Sequence, residues 1–307
     1  MKKLIFADLS TICGRINSST VANISNKLKT KSAVSLSELR LLKNALIDDA
    51  ANIDTVLHTH GALRGLVREM TGHEVNKQCA ATGCCCNLAL GDSRTCLAVA
   101  KAAGPYLVAA LDSLTTELAV TSAWALGNIA GSGPKACELL TAQGALAKLT
   151  ELLASSNDET RDAALYALVH FAYQLRDEFK QEYLHKILQK LPYLKVATIS
   201  QLLFILSCHK EFTNSFVTEE LLIKMVHYLS ISIEKSVSNP NIEYLFRTLA
   251  NMNSEQIYNV VLNFFVTNNM VGTIKKLVET ENSNSVLWFL GNVYKFCNTH
   301  VFFEKMR

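Results

Sequence analysis

Two short strings carry the clearest chemistry in the chain: Trp124-Ala125-Leu126-Gly127-Asn128 and, far downstream, Trp288-Phe289-Leu290-Gly291-Asn292. Residues four apart on a helix share a face, so each tryptophan projects beside its asparagine. An asparagine amide both donates and accepts hydrogen bonds and can hold the main chain of an extended peptide without reading its sequence. A tryptophan face attracts the cation of Lys or Arg, by roughly 0.5–2 kcal/mol depending on how dry the contact is. Together the two residue types suit a basic, extended segment. Degenerate copies keep part of the pattern at Asn87, at Asn251 and at Tyr166 with His170, where histidine stands in the asparagine position. The candidate peptide-binding residues are therefore Asn87, Trp124, Asn128, Tyr166, His170, Asn251, Trp288 and Asn292. Asparagine is a poor helix former, so its return in register needs a reason beyond helix formation. Packing is the simpler role for Tyr166, Phe204 and Cys208.

Other chemistries find no foothold in the sequence. No Ser/His/Asp constellation, glycine-rich phosphate loop or metal-ligand spacing stands out, so neither an enzyme nor a cofactor or metal is expected. Four of the nine cysteines, Cys79, Cys84, Cys85 and Cys86, crowd together. Adjacent helical positions point about 100° apart, which prevents the last three from sharing one metal. Small, buried packing residues in a reducing compartment are the expectation.

The elements that must carry these residues are helices. The 307 residues include only 13 Gly and 4 Pro, too few for the turns of a barrel or sandwich or the phosphate loops of a dinucleotide enzyme. Relatives of the Trp-x-x-x-Asn string end at residues 44, 87, 128, 170, 208, 251 and 292. The steps of 43, 41, 42, 38, 43 and 41 cluster where helical solenoids of roughly 40–47 residues per repeat belong. A second marker, Gly61, Gly104 and Gly144, is expected to close one short helix and open the next. In the best copy the unit reads as three helices, Pro134–Ala142, Ala145–Ala154 and about Asp158–Tyr173. Ser155-Ser156-Asn157-Asp158 supplies the turn and N-cap before the last.

Charge is small and uneven. The net +3 divides into +5 over residues 1–35, −4 over 36–180 and +2 over 181–307, without the basic density of a nucleic-acid surface. The opening MKKLIFADL resembles a secretion signal only until Asp8 interrupts it. No stretch reaches the 18 apolar residues of a membrane span. Cytoplasmic and nuclear residence is the expectation.

The repeat resembles the armadillo repeat, and its variant resembles that of importin-alpha. The string Ser122-Ala123-Trp124-Ala125-Leu126-Gly127-Asn128-Ile129-Ala130-Gly131, followed by Gly144-Ala145-Leu146, carries the likeness, with Asn87 to Asp92, Ser93 and Arg94 before it. It is strong over 74–173, thins over 36–73 and 240–296, and nearly vanishes over 175–235. A divergent relative, the transmembrane and coiled-coil domain-containing family, fits the pattern equally. The resemblance implies an all-α, right-handed superhelical armadillo-repeat solenoid of about seven three-helix repeats. It divides the chain into a short mildly basic segment at 1–35, a solenoid over 36–298, and a cap or truncated repeat at 299–307.

The function implied is that of an adaptor that receives basic nuclear localisation signal peptides along a concave groove, for protein import into the nucleus. The alternative is a non-transport scaffold or a dedicated chaperone for one protein partner. This chain departs from the importin-alpha pattern in several places. Gly83 and Tyr166 replace tryptophans, Ser132 stands where a groove aspartate belongs, and Arg40 and Arg247 occupy aromatic positions where they would repel a basic peptide. Importin-beta is the family's carrier, but of the basic run that binds it residues 1–35 offer only Lys27, Lys29 and Lys31. Val301-Phe302-Phe303 is apolar where a solenoid end should be polar, so this end is expected to contact something, another copy included.

Overall fold

Local capping chemistry sets where the helices begin. Ser35 and Glu38 form a reciprocal capping box: Glu38 N–H donates to Ser35 Oγ at 3.2 Å, and Ser35 N–H donates to the Glu38 carboxylate at 2.9 Å. Asp92, Asn157, Thr218, Asn239 and Ser254 each accept from a backbone N–H at the start of a later helix. Each cap satisfies a donor that the helix itself leaves without a partner. The computed structural model describes residues 18–236 and 238–297, and the chain divides into two units between Leu175 and Arg176. Among the described residues there are seventeen α-helices and no strand. The expected contact of Val301-Phe302-Phe303, and the boundary at 299–307, lie outside the described residues.

The first unit holds ten helices: α1 (Ser18–Thr30), α2 (Leu36–Asp48), α3 (Ala50–His58), α4 (Ala62–Met70), α5 (Val75–Leu88), α6 (Ser93–Ala110), α7 (Thr116–Ala130), α8 (Pro134–Ala142), α9 (Ala145–Leu152) and α10 (Asp158–Leu175). Three of them, α8 to α10, fall on the three-helix unit read from the sequence. Gly61 and Gly144 stand before α4 and α9 with φ of 97° and 91°, a conformation that a Cβ would strain. At Gly104 the expected break is absent, because α6 runs through Gly104-Pro105 as one helix. Proline removes a single helix donor there. Gln143 Nε2 donates to the nearby Ala100 carbonyl at 3.3 Å, and its amide crowds the place where a Cβ on residue 104 would stand. Glycine at 104 thus serves close approach instead of a hinge.

Seven α-helices form the second unit: α11 (Gln181–Lys190), α12 (Val196–Ser207), α13 (Glu219–Lys235), α14 (Pro240–Asn251), α15 (Glu255–Thr267), α16 (Val271–Leu277) and α17 (Ser283–Phe296). Residues 175–235, where the sequence pattern nearly vanished, still form helix pairs. The number of helices per repeat varies across the chain. Segments 50–88, 134–175 and 255–296 use three helices, whereas 93–130, 181–207 and 219–251 use two. All seven sequence markers fall at the ends of α2, α5, α7, α10, α12, α14 and α17. Those helices pack in sequence within each unit, α2 on α5, α5 on α7 and α7 on α10, then α12 on α14 and α14 on α17.

Small side chains allow this stacking. From Cys79 to Ala89, α5 and its cap are buried on every side, and from Leu118 to Ala130 α7 is buried except at Trp124. A helix flanked by neighbours on both sides has no solvent stripe to display. The cysteines belong to this packing. Cys79, Cys84, Cys85 and Cys86 are buried and free, and burial pushes the Cys85 thiol up to about 12. Cys84 Sγ donates to the Leu39 carbonyl at 3.4 Å. Among the described residues, no three His, Cys, Asp or Glu side chains gather as a metal site would need, and no helix is long and apolar enough to cross a membrane.

Candidate functional site: the faces of the stacked helices

Asn87, Asn128, Asn251 and Asn292 do one thing in common: each reaches back to the helix before it. Asn87 Nδ2 donates to the Lys43 carbonyl at 2.9 Å, Asn128 Nδ2 to the Cys86 carbonyl at 3.3 Å, and Asn292 Nδ2 to the Ala250 carbonyl at 2.7 Å. Asn251 Nδ2 donates to Ser207 Oγ at 2.9 Å. In every case the acceptor residue immediately precedes the marker position of the preceding helix, residues 44, 87, 251 and 208. Cys86 and Ala250 lie in the last turns of α5 and α14, where helix carbonyls lack intrahelical donors. Asn128 and Asn292 therefore cap the preceding helix from one repeat away, whereas Asn87 adds a donor to a carbonyl within α2 and Asn251 bonds a side chain.

Burial differs along this row. Asn87 and Asn128 are wholly buried, and Asn251 and Asn292 are half-buried. Asn128 is held from both sides, since Tyr166 Oη donates to its Oδ1 at 2.7 Å. Tyr166 lies against Gly127: a Cβ there would stand 2.6 Å from the tyrosine ring and 3.0 Å from Ala167 Cα. The stem of Lys43 covers Gly83 in the same way. Spacing along one helix shows which residues share a face, but the next helix decides whether that face is open.

On α7 and α10, several side chains of the candidate set still reach solvent. Trp124, Tyr166 and His170 are half-buried and Tyr173 is 52% exposed. The rings of Tyr166 and His170 meet edge to face at 4.8 Å. Glu117 lies two turns before Trp124, and Glu159 and Asp162 lie two turns and one turn before Tyr166, all three exposed. Residues four and seven apart share a helical face, so each aromatic has carboxylates along its own stripe. The sequence reading missed these acids, although their spacing from the aromatics was visible in it. Burial foremost, with Glu117 nearby, pushes the Cys79 thiol up to about 11. Ser132, standing where an aspartate was sought, donates to the Ile129 carbonyl at 2.6 Å.

In the second unit Trp288 is 45% exposed, with Leu287 and Tyr294 exposed on the same helix. Arg247 has partners of its own. Its guanidinium lies 5.6 Å from the centre of the Phe204 ring, 2.6 Å from the Glu243 carboxylate and 3.1 Å from Ser285 Oγ.

Comparison with known proteins follows the same outline. A HEAT-like repeat matches residues 117–171, from α7 into α10. No curated protein sequence matches the chain. An engineered protein solved by a structural genomics consortium is similar at a TM-score of 0.69 and 21% identity, over 89% of this chain and 68% of that one. A designed armadillo repeat protein in complex with the peptide (KR)4 is similar at a TM-score of 0.51 and 18% identity, over 89% of this chain and 99% of that one. Computationally designed armadillo repeat proteins for modular peptide recognition give 0.51 and 18%, over 90% and 99%. The fold is thus an armadillo/HEAT-type helical repeat solenoid.

Proposed function

We propose that the chain is a peptide-binding adaptor that receives an extended basic segment of another protein on the surface of α7 and α10. The observation that carries this reading is the stripe of Trp124, Tyr166 and His170 flanked by Glu117, Glu159 and Asp162. Aromatic faces attract Lys and Arg cations, and carboxylates on the same stripe add charge complementarity. The likeness in fold to a designed armadillo protein in complex with (KR)4 supports the same ligand chemistry. On this reading the ligand class is the basic nuclear localisation signal, as for importin-alpha, and the chain works in nuclear import between cytoplasm and nucleus. Importin-beta is a candidate carrier only: of the two lysines in α1, Lys27 is already bonded to Glu38 at 2.6 Å.

The test is fluorescence anisotropy with a labelled Lys-rich signal peptide at physiological salt. Saturable binding is expected, weakened about tenfold or more in a Trp124→Ala/Glu117→Gln variant, since a desolvated cation–aromatic contact and a charge pair are lost together. Absence of saturable binding, or equal binding by the variant, overturns the reading.

One observation favours the alternative, a non-transport scaffold or dedicated chaperone. The buried amides of Asn87 and Asn128 are occupied within the fold, so recognition would rest on side chains and not on a peptide main chain. A single partner retained at high salt in affinity purification would favour this alternative, because exposed charge contacts weaken with salt.

A further inference from the structure

The asparagine register has two open ends. At the first, Asn44 of α2 occupies the marker position, yet no hydrogen bond to its side chain is present among the described residues, and its buried Oδ1 lacks a partner. The forward partner that Asn128 finds in Tyr166 is missing because Gly83 stands at the corresponding position of α5. The backward acceptor is missing because no earlier helix of this kind lies among the described residues. At the second end, α17 repeats the docking surface of α7 with Trp288, Gly291 and Asn292. On α7 that surface seats α10, with Tyr166 and Ala167 against Gly127. On α17, Gly291 is exposed with nothing within 4 Å of a Cβ built on it, and Leu287 and Trp288 are 51% and 45% exposed.

The packing of α14 on α12 shows what fits such an end. Arg247 lies over Phe204, and Asn251, four residues on, reaches Ser207. The string Arg40-Leu41-Leu42-Lys43-Asn44 reproduces this spacing on α2, with Arg40 exposed. In the same register, α2 of a second copy would set Arg40 over Trp288 and bring Asn44 Nδ2 to the carbonyl of Gly291. We propose that copies of this chain stack head to tail, α2 of one copy docking on α17 of the next. The contact extends an interface already used inside the chain: an arginine over an aromatic ring and an asparagine amide donating to the helix before it. It is heterologous, so nothing in the contact itself limits the number of copies.

Sedimentation velocity of the full chain over a wide concentration range tests this, independently of any peptide binding. The weight-average mass is expected to rise past two copies as concentration increases. Trp288→Ala alone, or Arg40→Ala with Asn44→Ala, is expected to weaken association about tenfold or more, the scale of a lost cation–aromatic contact in a dry interface. Each variant keeps one intact end, so mixing the two should restore association that stops at a pair. A single-copy mass at every concentration overturns the proposal. A wild-type complex that stops at two copies, or a mixture that fails to associate, also overturns it.

Discussion

Two helices of this protein end on nearly the same string, Trp124-Ala-Leu-Gly-Asn128 in α7 and Trp288-Phe-Leu-Gly-Asn292 in α17, and they have opposite surroundings. In α7 the asparagine is wholly buried, bonded backward to Cys86 and forward to Tyr166. In α17 the backward bond to Ala250 is kept, while Gly291 and Trp288 face outward. The backward bond therefore belongs to the string itself. Forward contacts belong to whichever helix comes next: Tyr166 and Ala167 close over α7, and among the described residues no helix follows α17. A shared motif can thus be a sealed joint in one place and an open surface in another.

The largest expected effect tests the sealed joint. Replacing Asn128 by Ala removes its bonds to the Cys86 carbonyl and the Tyr166 hydroxyl and opens a small void, a cost of about 2–4 kcal/mol. Asn292→Ala removes one half-exposed bond and should cost about 1 kcal/mol. The two tryptophans report separately, Trp124 from the first unit and Trp288 from the second, so urea unfolding followed in single-tryptophan backgrounds reads each change where it acts. Equal losses at the two sites would abolish the distinction.

Next come the glycines. At residue 127 an added methyl meets the Tyr166 ring and the Ala167 backbone, and overpacking of this kind costs about 1–3 kcal/mol. At residue 291 the same methyl meets nothing, so Gly291→Ala should gain about 0.5–1 kcal/mol from helix propensity. The sign itself is the test, measured at protein concentrations low enough to keep copies apart. A loss at both positions would mean that α17 is also covered.

The smallest effect concerns pH, far from either string. A hydrogen bond from Lys27, then the capping bond from Ser35, holds the Glu38 carboxyl down at about 2. Because this folded-state value lies below the ordinary carboxylate value, the stabilisation is complete above about pH 4.5. It fades as pH falls from there through about 2. The pair is near the surface, so about 1 kcal/mol or less is involved. Thermal melts of wild type and Glu38→Gln should differ at pH 6 and converge near pH 2. A constant difference across that range would remove the carboxylate from the account. Neither tryptophan string should respond, which sharpens the contrast between capping and stacking.

Much of the fold was legible before any coordinates. Helical composition, the recurring marker positions, and the boundaries of α8, α9 and α10 all come from local chemistry: proline at a first turn, glycine in a left-handed conformation, an asparagine cap. Gly104 was misread because its neighbour Pro105 usually marks a break, whereas Gln143, nearly forty residues on, makes glycine necessary for packing. The candidate site was only partly legible. Trp124, Tyr166 and His170 do reach solvent together on neighbouring helices, and Glu117, Glu159 and Asp162 could have been found by counting back from them. The burial of Asn87 and Asn128 could not have been found that way.

Sequence alone determined the periodic element, since helix propensity, caps and spacing act within a few residues of one another. It also determined which side chains share a face, because helical geometry is fixed. Only the tertiary structure decided which faces remain available. That choice depends on contacts about forty residues apart, where Tyr166 fills the space above Gly127 and Lys43 the space above Gly83, while the place above Gly291 is open. Stacking makes the amides of Asn87 and Asn128 pins between helices, because a buried amide must find its hydrogen-bond partners within the fold.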